Sequence, residues 1–203
     1  CAVAVDPAGQ WRWGEALPAG FRTGPEGQVV GALKRGTGAA AALAAAGPKL
    51  RQLAASAVQA AIFNAVHDAR AAAGLLRRVR AGDIALAPSG APFLVDDPAE
   101  VSARCATLDA FATAPLPGTW RLSPAPPVLA EERAWSAGVG ADWAWFGAGG
   151  ALESPGERRA LLIRMLEAPR VHAADGVVWL ELVLPSGAYA TEALTQLGVA
   201  VPA

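Results

Sequence analysis

The 203-residue sequence predicts a mixed α+β protein, and three observations carry that prediction. Residues 49–73 repeat apolar side chains at three- and four-residue steps, the period of an amphipathic helix. Short apolar runs at 84–95 and 177–184 are interrupted or closed by Pro-Ser-Gly turns, as strands are. These segments follow one another without the regular strand–helix alternation that a doubly wound parallel sheet requires.

Composition narrows the classes. Apolar residues make up 53% of the chain and charged residues 17%, enough apolar surface for a core and too few charges for a disordered tail. Much of the apolar excess is alanine, which favours helix and adds little core volume. A net charge of −1 supplies no global basic field, so contact with a nucleic acid would have to rest on a local patch. Two cysteines, Cys1 and Cys105, are too few for a disulfide framework or a zinc cluster, and a reducing compartment, the cytoplasm, is expected. The longest aliphatic run, 39–46, falls well short of the roughly 18–20 residues that cross a bilayer, so no membrane is expected as a partner. The chain opens at Cys1 and its one methionine is Met165, from which a processed chain or a fragment is expected. A mature lipoprotein would also open with cysteine.

Taken in order, residues 2–5 and 11–13 read as short strands, and Gly24, Gly27, Gly31 and Gly36 then loosen the chain. No Gly-Lys-Ser/Thr follows them, so this is not a phosphate-cradling loop. The helix at 49–73 places Leu50, Leu53, Ala57, Ala61 and Ala65 on one face, widened by Ile62 and Val66; Pro48 starts it and Gly74 stops it. Ile84, Leu86 and 93–95 read as strands about the Pro88-Ser89-Gly90 turn. Asp97-Pro98-Ala99-Glu100 is a capping pattern that opens a second helix to about Thr113. Five prolines from Pro115 to Pro127 predict a loop with no regular interior, and 128–140 read as helix again. Ser154-Pro155-Gly156-Glu157 repeats the capping pattern and predicts a helix to about Glu167. A strand at 177–184, a turn at Pro185-Ser186-Gly187 and a helix at 189–197 close the chain.

Few side chains announce chemistry. His67 and His172 are far apart in sequence and lack the partners of a metal motif, so no metal is expected. Ser56 and Cys105 lie within helical patterns and read as small packing residues, and the eight aspartates fall mostly in turns, caps or exposed helix faces. Arg77, Arg78 and Arg80 form a basic cluster that either contacts phosphates or is the solvated end of a helix. Arg158 and Arg159 fall in the first turn of the helix expected from 154, where the helix dipole disfavours cations and an external anion would relieve them. Trp143, Trp145 and Phe146 either stack on bases or plug a glycine-rich loop.

Several of these residues occur together in a known order. The stretch RQLAASAVQAAIFN, with Arg51, Ser56, Ala57, Ala61, Phe63 and Asn64, resembles the helix signature of the TruD-type tRNA pseudouridine synthases. Gly82-Asp83 resembles that family's strand entry, Pro115 to Trp120 (PLPGTW) its loop before the next helix, and Arg158-Arg159-Ala160 its Arg-Arg helix. Leu184-Pro185-Ser186-Gly187-Ala188-Tyr189-Ala190-Thr191 resembles its closing Leu-Pro-x-Gly-Ser-aromatic-Ala-Thr motif. All five fall in family order between residues 49 and 197.

The resemblance implies a pseudouridine-synthase catalytic domain carrying a TruD-type inserted α+β domain. It assigns 1–24 to a degenerate remnant of the catalytic domain, 25–163 to the insertion, and 164–203 to the return of the chain to the catalytic domain. It implies tRNA as the partner and no metal or organic cofactor. Its chemistry is isomerisation of a flipped-out uridine, in bacterial relatives at position thirteen: an aspartate attacks, the C–N glycosidic bond breaks, the base rotates and a C–C bond forms. Tyr189 stands where the family carries an aromatic residue near the target uridine, and Phe21 answers either to the phenylalanine of an Asn-aromatic-Phe-Gly motif or to that of an earlier Gly-Asn-x-Phe element. The arginines expected to touch RNA are Arg77, Arg78, Arg80, Arg158 and Arg159. The family's nucleophile lies in a Gly-x-Lys-Asp motif, and these 203 residues contain none. The chain alone is therefore expected not to isomerise uridine. The alternatives are a non-catalytic RNA-binding module and a lipid-anchored structural protein.

Overall fold

The computed structural model describes residues 23–186, 188, 190–196 and 198; the strands expected at 2–5 and 11–13 lie outside them. Two compact units emerge, one from residues up to Ala73 with Ala114–Arg159, the other from Gly74–Thr113 with the residues from Ala160 onward.

The first unit opens with three helices, α1 (Pro25–Lys34), α2 (Ala39–Ala45) and α3 (Pro48–Ala72). The stretch expected to be loosened by glycines is thus helical. Pro25 sits where a missing amide costs little, Glu26 lies in the first turn and Lys34 in the last, so both charges suit the helix dipole and offset the glycines. Helix α3 begins after Gly47, whose φ of +89° only glycine adopts freely, and takes Pro48 in its first turn.

Its buried face is only partly the expected one: Ile62 and Val66 are buried as expected, whereas Leu53, Ala57 and Ala61 are exposed. Ala55, Gln59, Ile62, Val66 and Arg70 turn inward, while Leu53 is 63% exposed. Two of the five inward positions are polar, so an apolar period alone finds Ile62 and Val66 but centres the buried stripe wrongly. Gln59 is held there because its Nε2 donates to the Pro117 carbonyl at 2.6 Å and to Ser154 Oγ at 3.2 Å. Ala55, Ile62, Phe146 and Leu152 form the core beside α3, with Leu43, Val58, Val139 and Trp143 packed against it.

Strands β1 (Ile84–Leu86), β2 (Pro92–Leu94), β3 (Phe111–Leu116) and β4 (Glu157–Ala160) form a sheet in the order β2-β1-β3-β4. The expected hairpin is present, with Ile84 opposite Leu94 and Leu86 opposite Pro92, and β1 also pairs Ala85 with Ala112. Helix α4 (Pro98–Ala106) starts as expected, with Asp97 Oδ1 accepting from the amides of Ala99 at 3.0 Å and Glu100 at 3.1 Å. It stops seven residues before Thr113, because Leu108 takes φ +58° and the chain turns into β3. Four consecutive β3 residues, Ala112 to Pro115, are buried, so the strand has no polar face and its alanines mimic helix. The proline-rich loop is correspondingly shorter than expected, since β3 includes Pro115 and α5 (Pro126–Trp135) accepts Pro126 and Pro127 in its first turn. Short 3-10 turns follow at Ala137–Val139 and Trp143–Phe146.

The helix expected from Ser154 to Glu167 is absent. Thr119 and Pro155 form a parallel bridge, and β4 follows with its side chains alternating between exposed and half-buried. Two glycines allow this: a Cβ on Gly118 would run into the backbone of 154–156, and one on Gly156 into the Trp120 indole. Close backbone approach overrides a capping pattern that, in isolation, would start a helix.

In the second unit Val79, Ile84, Ala85, Val95, Val101, Cys105, Ala112 and Leu161 are buried. Strands β5 (Arg170–Ala174) and β6 (Val177–Glu181) form a separate antiparallel hairpin about Asp175 and Gly176, both at positive φ (54° and 75°). Only the second of these strands was expected. Helix α6 (Ala190–Gln196) follows, within the expected closing helix.

Candidate nucleic-acid interface

Strand alternation on β4 sends its two arginines in opposite directions. Arg158 points inward: its Nη1 and Nη2 donate to Glu132 Oε2 at 2.8 Å and Oε1 at 2.6 Å, with 3% and 0% of the two side chains exposed. A fork-to-fork pair of this kind neutralises both charges where neither reaches water. Arg159 points outward, with its guanidinium carbon 5.8 Å from the centre of the Phe63 ring on α3. Phe63 in turn lies 6.1 Å from the His67 ring at 31°, and His67 Nδ1 sits 3.2 Å from Asp68 Oδ1. Neither arginine occupies a first helical turn, so the dipole argument for an anion falls away; what remains at Arg159 is an exposed cation laid on an aromatic face.

The cluster Arg77, Arg78 and Arg80 follows α3 in a bend and irregular backbone, past Gly74 at φ +70°, and is therefore not a helix end. Arg77 Nη1 donates to the Ala106 carbonyl at 3.1 Å, closing the C-terminal end of α4. The Arg80 amide donates to Asp83 Oδ2 at 2.8 Å, in a turn that also has the Val79 amide donating to Ser102 Oγ at 3.1 Å. Arg78 is exposed. Tyr189 and Phe21 lie outside the described residues.

The tryptophan-rich segment is a plug. Phe146 is fully buried, Trp143 packs on the first unit's core and meets Trp120 edge-on at 5.8 Å, and Arg133 covers the Trp143 ring at 5.5 Å. Trp145 keeps 41% of its surface exposed. His172 stacks on Trp179 at 6.3 Å and 10°, across the β5–β6 register. Cys105 is buried, and Ser56 is exposed on α3. Among the described residues no group of three or more His, Cys, Asp or Glu is placed to hold a metal, and no helix is long and apolar enough to cross a membrane.

Phe63 is the site residue that sequence reasoning passed over. It appears in the helix signature, but nothing local shows that a strand arginine far along the chain rests on it. The one local signal is its i, i+4 spacing from His67, which puts two flat rings on one helix face.

Comparison with known proteins fits this architecture. A sequence profile described as "tRNA pseudouridine synthase D (TruD)" matches residues 12–197. A protein named tRNA pseudouridine synthase D from Geobacter metallireducens is 40% identical over 158 residues, covering 77% of this chain and 38% of that protein. One of the same name from Geotalea daltonii is 36% identical over 151 residues, covering 74% of this chain and 37% of that protein. The chain thus spans less than two fifths of the length of these relatives. A crystal structure from Methanosarcina mazei, assigned as tRNA pseudouridine synthase D, superposes with a TM-score of 0.62 at 24% identity over 87% of this chain and 44% of that one, and shares its α+β fold. With the profile matched across both units, the chain belongs to the TruD family, tRNA pseudouridine synthase D.

Proposed function

We propose that this chain binds tRNA in the service of uridine-to-pseudouridine isomerisation, and that the 203 residues alone do not perform the isomerisation. The carrying observation is the family match over residues 12–197 in a sequence that contains no Gly-x-Lys-Asp. Residues 25–163 act as the family's inserted domain and 164–203 as the closing part of its catalytic domain. Arg77, Arg78 and Arg159 supply phosphate contacts from exposed positions, and Arg80 and Arg158 hold the backbone and core from which such contacts project. Tyr189 and Phe21 are the aromatic candidates for the uridine pocket. The cytoplasm, where tRNA is modified, is the working compartment, and no cofactor enters the scheme.

The test is incubation of the purified chain with a tRNA transcript, followed by mass-spectrometric detection of pseudouridine alongside a binding titration. Salt-sensitive binding without conversion is expected. Conversion would overturn the proposed lack of activity, and absence of binding would overturn the RNA assignment. A non-catalytic RNA-binding module gives the same two results and is favoured by the same missing motif. Sequencing the DNA immediately upstream of the Cys1 codon separates the two: an in-frame Gly-x-Lys-Asp supports the synthase, and an unrelated sequence supports the module.

A further inference from the structure

We propose that Arg159, backed by Phe63, is a stacking contact for an unpaired RNA base, with the same guanidinium donating to the adjoining phosphate. The proposal rests on the tRNA assignment above and names one site within it. Arg158 and Arg159 are chemically alike, and their surroundings are opposite. Arg158 is matched to the Glu132 carboxylate inside the first unit, whereas Arg159 is exposed, carries no carboxylate partner among the described residues, and lies over the Phe63 ring at 5.8 Å.

A long, solvent-exposed arginine loses rotamer freedom when a ligand orders it. An aromatic face beneath the guanidinium removes part of that loss beforehand, and leaves the opposite face of the planar group open. An unpaired base is the ligand with a matching flat surface, and its backbone carries the anion that the N–H donors need. Glu157, on the same face of β4, makes no ion pair with Arg159 among the described residues, so it does not take up the guanidinium N–H donors where the stack would form. The His67 ring, 6.1 Å from Phe63 and tilted by 31°, adds a second aromatic face along α3, and Asp68 beside His67 marks its acidic end.

Fluorescence-anisotropy titration of the 203-residue chain with a tRNA transcript, repeated across a salt series, tests this. Arg159→Ala is expected to weaken binding about tenfold and to lower the salt slope by about one. Arg159→Lys keeps the charge and loses the plane, so it should retain the slope and still lose several-fold in affinity. Phe63→Leu keeps the apolar volume and removes the ring, with a loss of a few-fold at unchanged slope. Circular dichroism confirms that each variant is folded. Wild-type binding with unchanged affinity in Arg159→Ala overturns the site and leaves the tRNA assignment standing. Full affinity in Arg159→Lys overturns the stack. No binding by the wild-type chain overturns both.

Discussion

Glu132 of α5 and Arg158 of β4 meet in a two-pronged ion pair, at 2.6 and 2.8 Å, with almost no exposure of either side chain. The pair does for the first unit what an apolar contact would do less selectively. It joins a helix to a strand, and it fixes the strand's facing, because a slip of one residue would bury Arg159 and expose Arg158. The exposed arginine thus owes its position to the buried one.

Removing Glu132 takes the two-pronged carboxylate from a guanidinium that stays buried. Glu132→Ala is therefore expected to destabilise the chain by about 3–5 kcal/mol, whereas Glu132→Leu combined with Arg158→Met should lose far less. Urea denaturation midpoints at constant slope check this. Equal losses in the single and double variants would show that packing, not charge, holds the contact.

Gly156 tolerates no side chain where Trp120 lies against it, while Gly138 has open space around it. Gly156→Ala should cost about 1–3 kcal/mol or more through forced displacement of the indole, and Gly138→Ala should be close to neutral. Thermal melts of the two variants, read beside wild type, distinguish close approach from a general intolerance of the loop. A Gly156→Ala melt indistinguishable from wild type would mean that the strand register at 154–157 is not set by this contact.

What was legible in the sequence followed from short-range physics. Pro48 and Gly74 bracket α3, Asp97-Pro98 opens α4, and Pro88-Ser89-Gly90 turns β1 into β2, each through backbone chemistry complete within a few residues. Gln59 and Arg70 on the buried side of α3 defeated the apolar period, because partners distant in sequence satisfy Gln59. The capping pattern at Ser154 lost to a backbone contact with Gly118, which no local rule contains. Asp175-Gly176 carried a hairpin signal that was available and unused. At the candidate site Arg159 was identified on a dipole argument that does not apply, and Phe63 beneath it depends wholly on tertiary contact.

Asp97 satisfies two amides at the start of α4 from a single carboxylate oxygen. Asp97→Ala should cost about 1 kcal/mol, and Asp97→Asn or Asp97→Ser should recover most of it, since each retains an acceptor at the cap. Chemical denaturation of the three variants provides the check. If the serine variant is as weak as the alanine one, the acidic charge near the helix dipole matters more than the hydrogen bonds.

Arg77 and Arg78 are adjacent, yet their substitution should read differently. Arg77 donates to the Ala106 carbonyl at the end of α4, so Arg77→Ala is expected to lower stability modestly as well as to weaken tRNA binding. Arg78 is exposed, and Arg78→Ala should leave the denaturation midpoint unchanged while lowering the salt slope of tRNA binding by about one, uniformly across RNA sequences. Denaturation and salt-dependent binding, measured on the same two variants, separate a structural arginine from a phosphate contact. An unchanged salt slope in Arg78→Ala would remove this residue from the interface and shift the electrostatic contribution to Arg159.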